Sequence, residues 1–210
     1  MNPTNDYSEL YQDPARKPPK QHSGCIIALI VMLVLTVILA VLAAILVPAM
    51  IGYVRKSRTA NANNAARQCH RAAQSALVDL DEAGTLKKGS YIITNIPGES
   101  DYNAPYNTAH LHNMFDIYFT EDERYDYFFV VEGTTVAYAA VHDTDHWDYI
   151  GVYPHQTDAH ERKVTAYDGT ELIISGNERN TGENPFKDLF RNAKDTLKTL
   201  PDDEENENED

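Results

Sequence analysis

One cluster in the sequence has the residue types of a metal or acid–base site: His142-Asp143-Thr144-Asp145-His146. Imidazole nitrogens and carboxylate oxygens are the usual ligands of Zn²⁺ and Ca²⁺, and a turn between strands is able to converge them on one ion. His110-x-His112 supplies two more nitrogens upstream. Against this, the spacing matches no closed metal motif, and Asp and Thr are ordinary turn formers whose side chains bond their own backbone. The expectation is a solvated turn and no bound metal or other cofactor, with His142, Asp143, Asp145 and His146 as the residues to inspect for one. His155 and His160 fall in a loop without a pattern. There is no glycine-rich phosphate loop and no nucleophile elbow. Neighbouring carboxylates such as Glu121 and Asp122 define no acid–base pair without geometry. The 13 tyrosines suit the surface and core of a sheet better than a sugar platform. The chain is expected not to be an enzyme.

The elements that must position this cluster begin at Ser90, where short runs rich in Tyr, Val, Ile and Phe alternate with turn signals. Tyr91 to Ile96 is a strand ended by Pro97-Gly98, residues 99–113 read as a loop, and Phe115 to Thr120 alternates weakly as a further strand. Arg124 to Val131 and Thr134 to His142 flank Glu132-Gly133 as a hairpin. Tyr125, Tyr127, Phe129 and Val131 then share one face, because strand side chains alternate. Asp148 to Tyr153 follows, and Lys163 to Tyr167 pairs with Glu171 to Ser175 around Asp168-Gly169. Asn184-Pro185 opens a last helix, Asn as cap and Pro in the first turn. Its apolar face is Phe186, Leu189, Phe190, Ala193, Leu197 and Leu200, suited to packing on the domain or to docking a partner or membrane surface.

A helix precedes all of this. Cys25 to Val47 has Thr36 as its one polar side chain and reaches about 34 Å as a helix, enough for a hydrocarbon core of about 30 Å. A lone span satisfies its backbone only as a helix. The pattern does not stop there: Ala62, Ala65, Ala66, Cys69, Ala72, Ala73, Ala76, Leu77 and Leu80 recur at three and four, a narrow apolar stripe ended by Gly84. Pro48 is expected to kink the helix near the membrane surface. The division is therefore a basic, proline-rich leader (1–24), a membrane-spanning half (25–47), an amphipathic half (48–83), an antiparallel sheet domain (84–180), an amphipathic helix (184–200) and an acidic tail (201–210). The fold class is α+β, a long helix packed on an antiparallel sheet.

The run Leu42-Ala43-Ala44-Ile45-Leu46-Val47-Pro48-Ala49, continued by Gly52-Tyr53-Val54-Arg55-Lys56, resembles the N-terminal helix of type IV pilins and of the pseudopilins of type II secretion. The resemblance covers roughly residues 26–82. It implies a pilin-like fold, removal of a leader by a prepilin peptidase, and lateral helix packing through residues such as Ile27, Val31, Ala40, Ala43, Ala44, Pro48, Gly52 and Tyr53. Counted back from Pro48, the family's first mature residue falls at Ile27 and its cleavage glycine at Ile26, the nearest glycine being Gly24. The family's buried acid falls at Val31, or at Leu29 if cleavage follows Gly24. Intramembrane charge is costly and functional where it occurs, so its absence favours a minor, filament-tip or non-processed member.

Net charge is −14 over 210 residues, and Pro201 to Asp210 is acidic without a base. No basic face remains to neutralise phosphates on a nucleic acid, so none is expected as partner. The one basic cluster, Arg55, Lys56, Arg58, Arg67 and Arg71, suits interfacial anchoring and solvation. Cys25 and Cys69 lie about 66 Å apart on one helix and cannot form an intrachain disulfide. Arg16, Lys17 and Lys20 beside the span place the leader in the cytoplasm and the domain outside. The functional expectation is a single-pass membrane protein, a minor subunit of a pilus or pseudopilus whose partners are lipid and other pilin-like subunits. The alternative is a non-processed, membrane-anchored binding or sensor module.

Overall fold

The computed structural model describes residues 23–105, 108–120, 124–146, 148–174 and 184–199; residues 1–22 of the leader, the acidic tail, Leu200 and the expected strand end at Ser175 lie outside them. Helix α1 is continuous from Ser23 to Glu82 with Pro48 inside it. By its contacts the chain divides between Ala49 and Met50 into two units.

In the first unit α1 is apolar on every side. Ile26 to Val47 present exposed Ile, Leu, Val and Met in all directions, and the Thr36 hydroxyl donates to Met32 O at 2.8 Å. A helix hydrophobic all round with its polar group satisfied internally is built for lipid or for other helices. It is the one helix among the described residues long and apolar enough to cross a membrane.

In the second unit the alanine stripe from Ala62 to Leu80 is buried. The helix ends as Gly84 turns left-handed (φ 65°), with Thr85 N–H donating to Leu80 O and Gly84 N–H to Asp81 O, both at 2.9 Å. That is the Schellman geometry that a glycine after the last turn permits.

The stripe rests on a four-stranded antiparallel meander in the order β1 (Gly89–Thr94), β2 (Tyr125–Gly133), β3 (Thr135–Asp143), β4 (Ile150–Tyr153). Between β1 and β2 lies α2 (Ala109–Tyr118), where a loop and a weak strand were expected. Leu111, Phe115 and Phe119 are buried at intervals of four, the helical period, and this outweighs the local alternation. The hairpin β5 (Lys163–Thr165) and β6 (Glu171–Ile173) forms a separate two-stranded sheet, and α3 (Pro185–Thr199) closes the chain. Asn184 caps α3, its Oδ1 accepting the Phe186 N–H at 3.0 Å.

Both faces of the meander are buried, which explains the unbroken Phe128-Phe129-Val130-Val131 run in β2. Tyr91, Ile93, Tyr125, Tyr127, Phe129 and Val141 face α1 and α2. Ile92, Phe128, Val130, Ala140, Ile150 and Val152 face α3 and the small hairpin. A register shift at Val130/Val131 pairs Val131 with Val136 and Val130 with Tyr138, placing Val136 on the α1 side and Tyr138 on the other. The apolar face of α3 (Phe186, Leu189, Phe190, Ala193 and Leu197) is thus occupied by the sheet rather than left for a partner or a membrane surface.

Candidate functional site

The His142–His146 cluster is split by the geometry of β3. Successive strand side chains point to opposite faces, so His142 turns toward α3 and Asp143 away from it. The His142 ring stacks on Phe186 (centroids 5.3 Å apart, planes 25°), with Nδ1 3.5 Å from Asp126 Oδ2. Asp143 is 3.4 Å from Arg124 Nη2, accepts the Asp145 N–H at 3.1 Å and lies 3.6 Å from His146 Nδ1. These contacts hold the end of a hairpin and build a turn. Among the described residues no group of three or more His, Cys, Asp or Glu is placed to hold a metal.

The upstream pair separates too. His110 is exposed, whereas His112 Nε2 lies 3.0 Å from Asp101 Oδ2. Residues two apart on a helix do not share a face. Asp101 also accepts the Thr94 N–H at 2.9 Å and the Thr108 hydroxyl. Thus one carboxylate ties β1, the turn before α2 and α2 itself together. Burial alone would raise its pKa, but the hydrogen bonds from His112, Thr108 and Thr94 win and hold it below the usual carboxylate range. The same hydrogen bond, outweighing burial, raises His112 above an ordinary histidine. The sequence singles out His112 but not its partner Asp101, because the two meet only through the fold.

The sign of the pH effect follows. Stability from the raised histidine is present below the unfolded pKa of about 6.5 and is lost as pH rises through the folded value. Stability from the depressed carboxylate is present above about 3.9 and is lost as pH falls through its folded value. The melting temperature of Asp101→Asn should therefore fall furthest below the parent between about pH 4 and 6.5, the difference narrowing on either side. A difference independent of pH would show that the pair is not ionised as described.

Cys69 is fully buried, and burial pushes its thiol far up, leaving it unreactive. Nearby, His70 donates from Nε2 to Val136 O at 2.8 Å, and burial lowers its pKa. Gln74 bonds both Val136 N–H and Thr134 O, fixing β3 to α1. Beside them an open groove of about 520 Å³ is lined by His70, Arg71, Gln74, Val78, Asp79 and Tyr118. Ser75 lines it as well, and the Tyr118 hydroxyl donates to Asp79 Oδ2 at 2.6 Å.

The residues that the pilin resemblance singles out all lie on α1 and are exposed. Ile27, Val31, Ala40, Ala43, Ala44 and Pro48 lie in the first unit, Gly52 and Tyr53 in the second, with Tyr53 75% exposed. Gly24, the nearest processing glycine, is exposed as well. A Cβ added at Gly24 or at Gly52 would meet nothing within 4 Å. Glycine inside a helix costs about 0.5–1 kcal/mol relative to alanine, and no contact among the described residues requires it at either place.

Fold and site together define an α+β protein carrying one exposed apolar helix of membrane-spanning length, with no group of three or more His, Cys, Asp or Glu placed to hold a metal among its described residues. Compared with known protein families, with curated proteins and with solved structures, the chain matches none.

Proposed function

We propose that this chain is a pilin-like, single-pass membrane protein that acts structurally, as a minor subunit of a type IV pilus or of a type II secretion pseudopilus. The observation that carries this reading is the double use of α1: exposed and apolar from Ile26 to Val47, then buried under an antiparallel sheet from Ala62 to Leu80. A soluble domain has no use for the first half, and a simple anchor has no need to continue as the spine of the domain. Lipid and the apolar helices of like subunits are the partners that such a surface accepts. Ala40, Ala44, Pro48 and Gly52 recur every four residues and would let a neighbouring backbone approach closely. The leader would lie in the cytoplasm and the domain outside.

A second reading is favoured by Ile26 and Val31, which stand where processing and registration would need glycine and an acid. In it the helix is a permanent anchor and the domain binds or senses. Intact mass and N-terminal sequence of the protein, taken from membranes that contain a prepilin peptidase, separate the two. A new terminus at Cys25 or Ile27 supports the processed subunit. An intact Met1 terminus supports the permanent anchor and makes ligand binding by the outer loops the function to pursue.

A further inference from the structure

We infer that the end of the domain where α1 enters it binds the headgroups of anionic phospholipids; this rests on reading the first half of α1 as a membrane span. Arg55 follows Ile51 by four residues, about 6 Å along a helix. The headgroup layer outside the hydrocarbon core is roughly 5–8 Å thick on each side, so Arg55 and Lys56 fall within it and Arg58, about 10 Å past Ile51, lies just beyond it.

Three-dimensional packing adds to what the helix alone supplies. Arg162, distant in sequence, lines a small cavity together with Arg55, Thr59, Asp148, Thr157 and Asp158. Among the described residues its Nη2 is buried without a hydrogen bond, 3.9 Å from Asp148 Oδ2, and Thr157 Oγ1 is likewise buried without a partner. Arg58 lies over the Tyr149 ring at 5.5 Å, which holds the guanidinium at this end and puts an amphipathic aromatic beside it. Arg55 and Arg162 share this cavity with Asp148 and Asp158, while Lys56 lines the neighbouring groove beside Thr59 and Thr157 and Arg58 sits over Tyr149, so two further cations gather at this end of a chain of net charge −14. A strongly acidic domain is repelled by an anionic bilayer, so such a face is what allows it to lie against one. Guanidinium groups suit the purpose, because their forked N–H donors match the oxygens of a phosphodiester.

The test uses the full chain in a neutral detergent with equimolar dioleoyl phosphatidylglycerol and dioleoyl phosphatidylcholine, the bound lipid being counted by native mass spectrometry. Phosphatidylglycerol is expected to predominate, and the doubly substituted Arg55→Gln/Lys56→Gln protein should lose about fivefold in that preference for each cation removed. Lys87→Gln/Lys88→Gln, the same charge change at exposed positions just past α1, should leave it unchanged. A preference of one in the parent protein, or equal losses in the two variants, overturns the headgroup site. Alkaline extraction of native membranes separates this failure from the other: a chain kept in the pellet leaves the membrane span standing, whereas release into the supernatant removes both.

Discussion

Gly151→Ala is expected to destabilise the domain by at least about 3 kcal/mol, the upper end of the usual cost of overpacking. A Cβ at this position in β4 would sit 2.0 Å from Ala62 O, 2.1 Å from Ala62 C and 2.6 Å from Asn63 N. All three obstacles are backbone of α1, so no rotamer change relieves them, and helix and strand must move apart. Separation would also strain the pair Asn63–Thr157, where the Asn63 amide donates to Thr157 O at 3.1 Å and accepts the Thr157 N–H at 3.0 Å. For a domain of this size each kcal/mol lowers the melting temperature by about 2–4 °C, so a fall of roughly 6–12 °C is expected in thermal denaturation followed by circular dichroism. Gly52→Ala is the control: with nothing within 4 Å of the new methyl, it should be neutral or stabilising. If Gly151→Ala melts with the parent, β4 does not pack against α1 as described.

The second large effect is Phe115→Ala, with an expected loss of about 3–5 kcal/mol. Phe115 is fully buried at the centre of an aromatic group, its ring centroid 5.2 Å from Phe119, 4.7 Å from Tyr127 and 5.2 Å from Phe129. It is the main apolar attachment of α2, whose only other buried side chain is Leu111. Truncation opens a cavity and removes favourable ring contacts together. Urea unfolding should show the loss, and limited proteolysis should cut first between β1 and β2. Phe115→Leu, which keeps most of the volume, should cost much less. A loss under about 1 kcal/mol for the alanine variant would contradict the burial of α2.

These two sites mark where reading the sequence reaches its limit. Gly84 and Asn184-Pro185 are local punctuation with local physics, and each stands at the helix end or helix start expected of it; the expected hairpin forms too, its turn one residue on at Gly133-Thr134, with Glu132 paired to Thr135. The alanine stripe was legible because nine positions repeat one period. Helix α2 was not: it is ten residues long, follows a stretch of Asp, Asn and Pro, and exposes Ile117 and Tyr118, which blur its period. Only contact with Phe129 and Tyr127 decides that Phe115 is a helical core residue. The approach of Gly151 to Ala62 and the meeting of Asp101 with His112 are likewise products of the fold, without local signal. For the His142 cluster the residue types were legible, but their separation across the two faces of β3 required the strand to be placed.

Whether the apolar half of α1 packs against other helices in the membrane is tested most directly by disulfide cross-linking. Single cysteines at Ala40, Ala43 and Ala44, in a Cys25→Ser background with buried Cys69 left in place, would be oxidised in native membranes. Lateral packing predicts cross-linked products, of this chain with itself or with pilin-like partners, strongest on the face of Ala40 and Ala44. Monomer alone at every position, from a chain that stays in the membrane pellet, would contradict assembly and leave α1 as a solitary anchor.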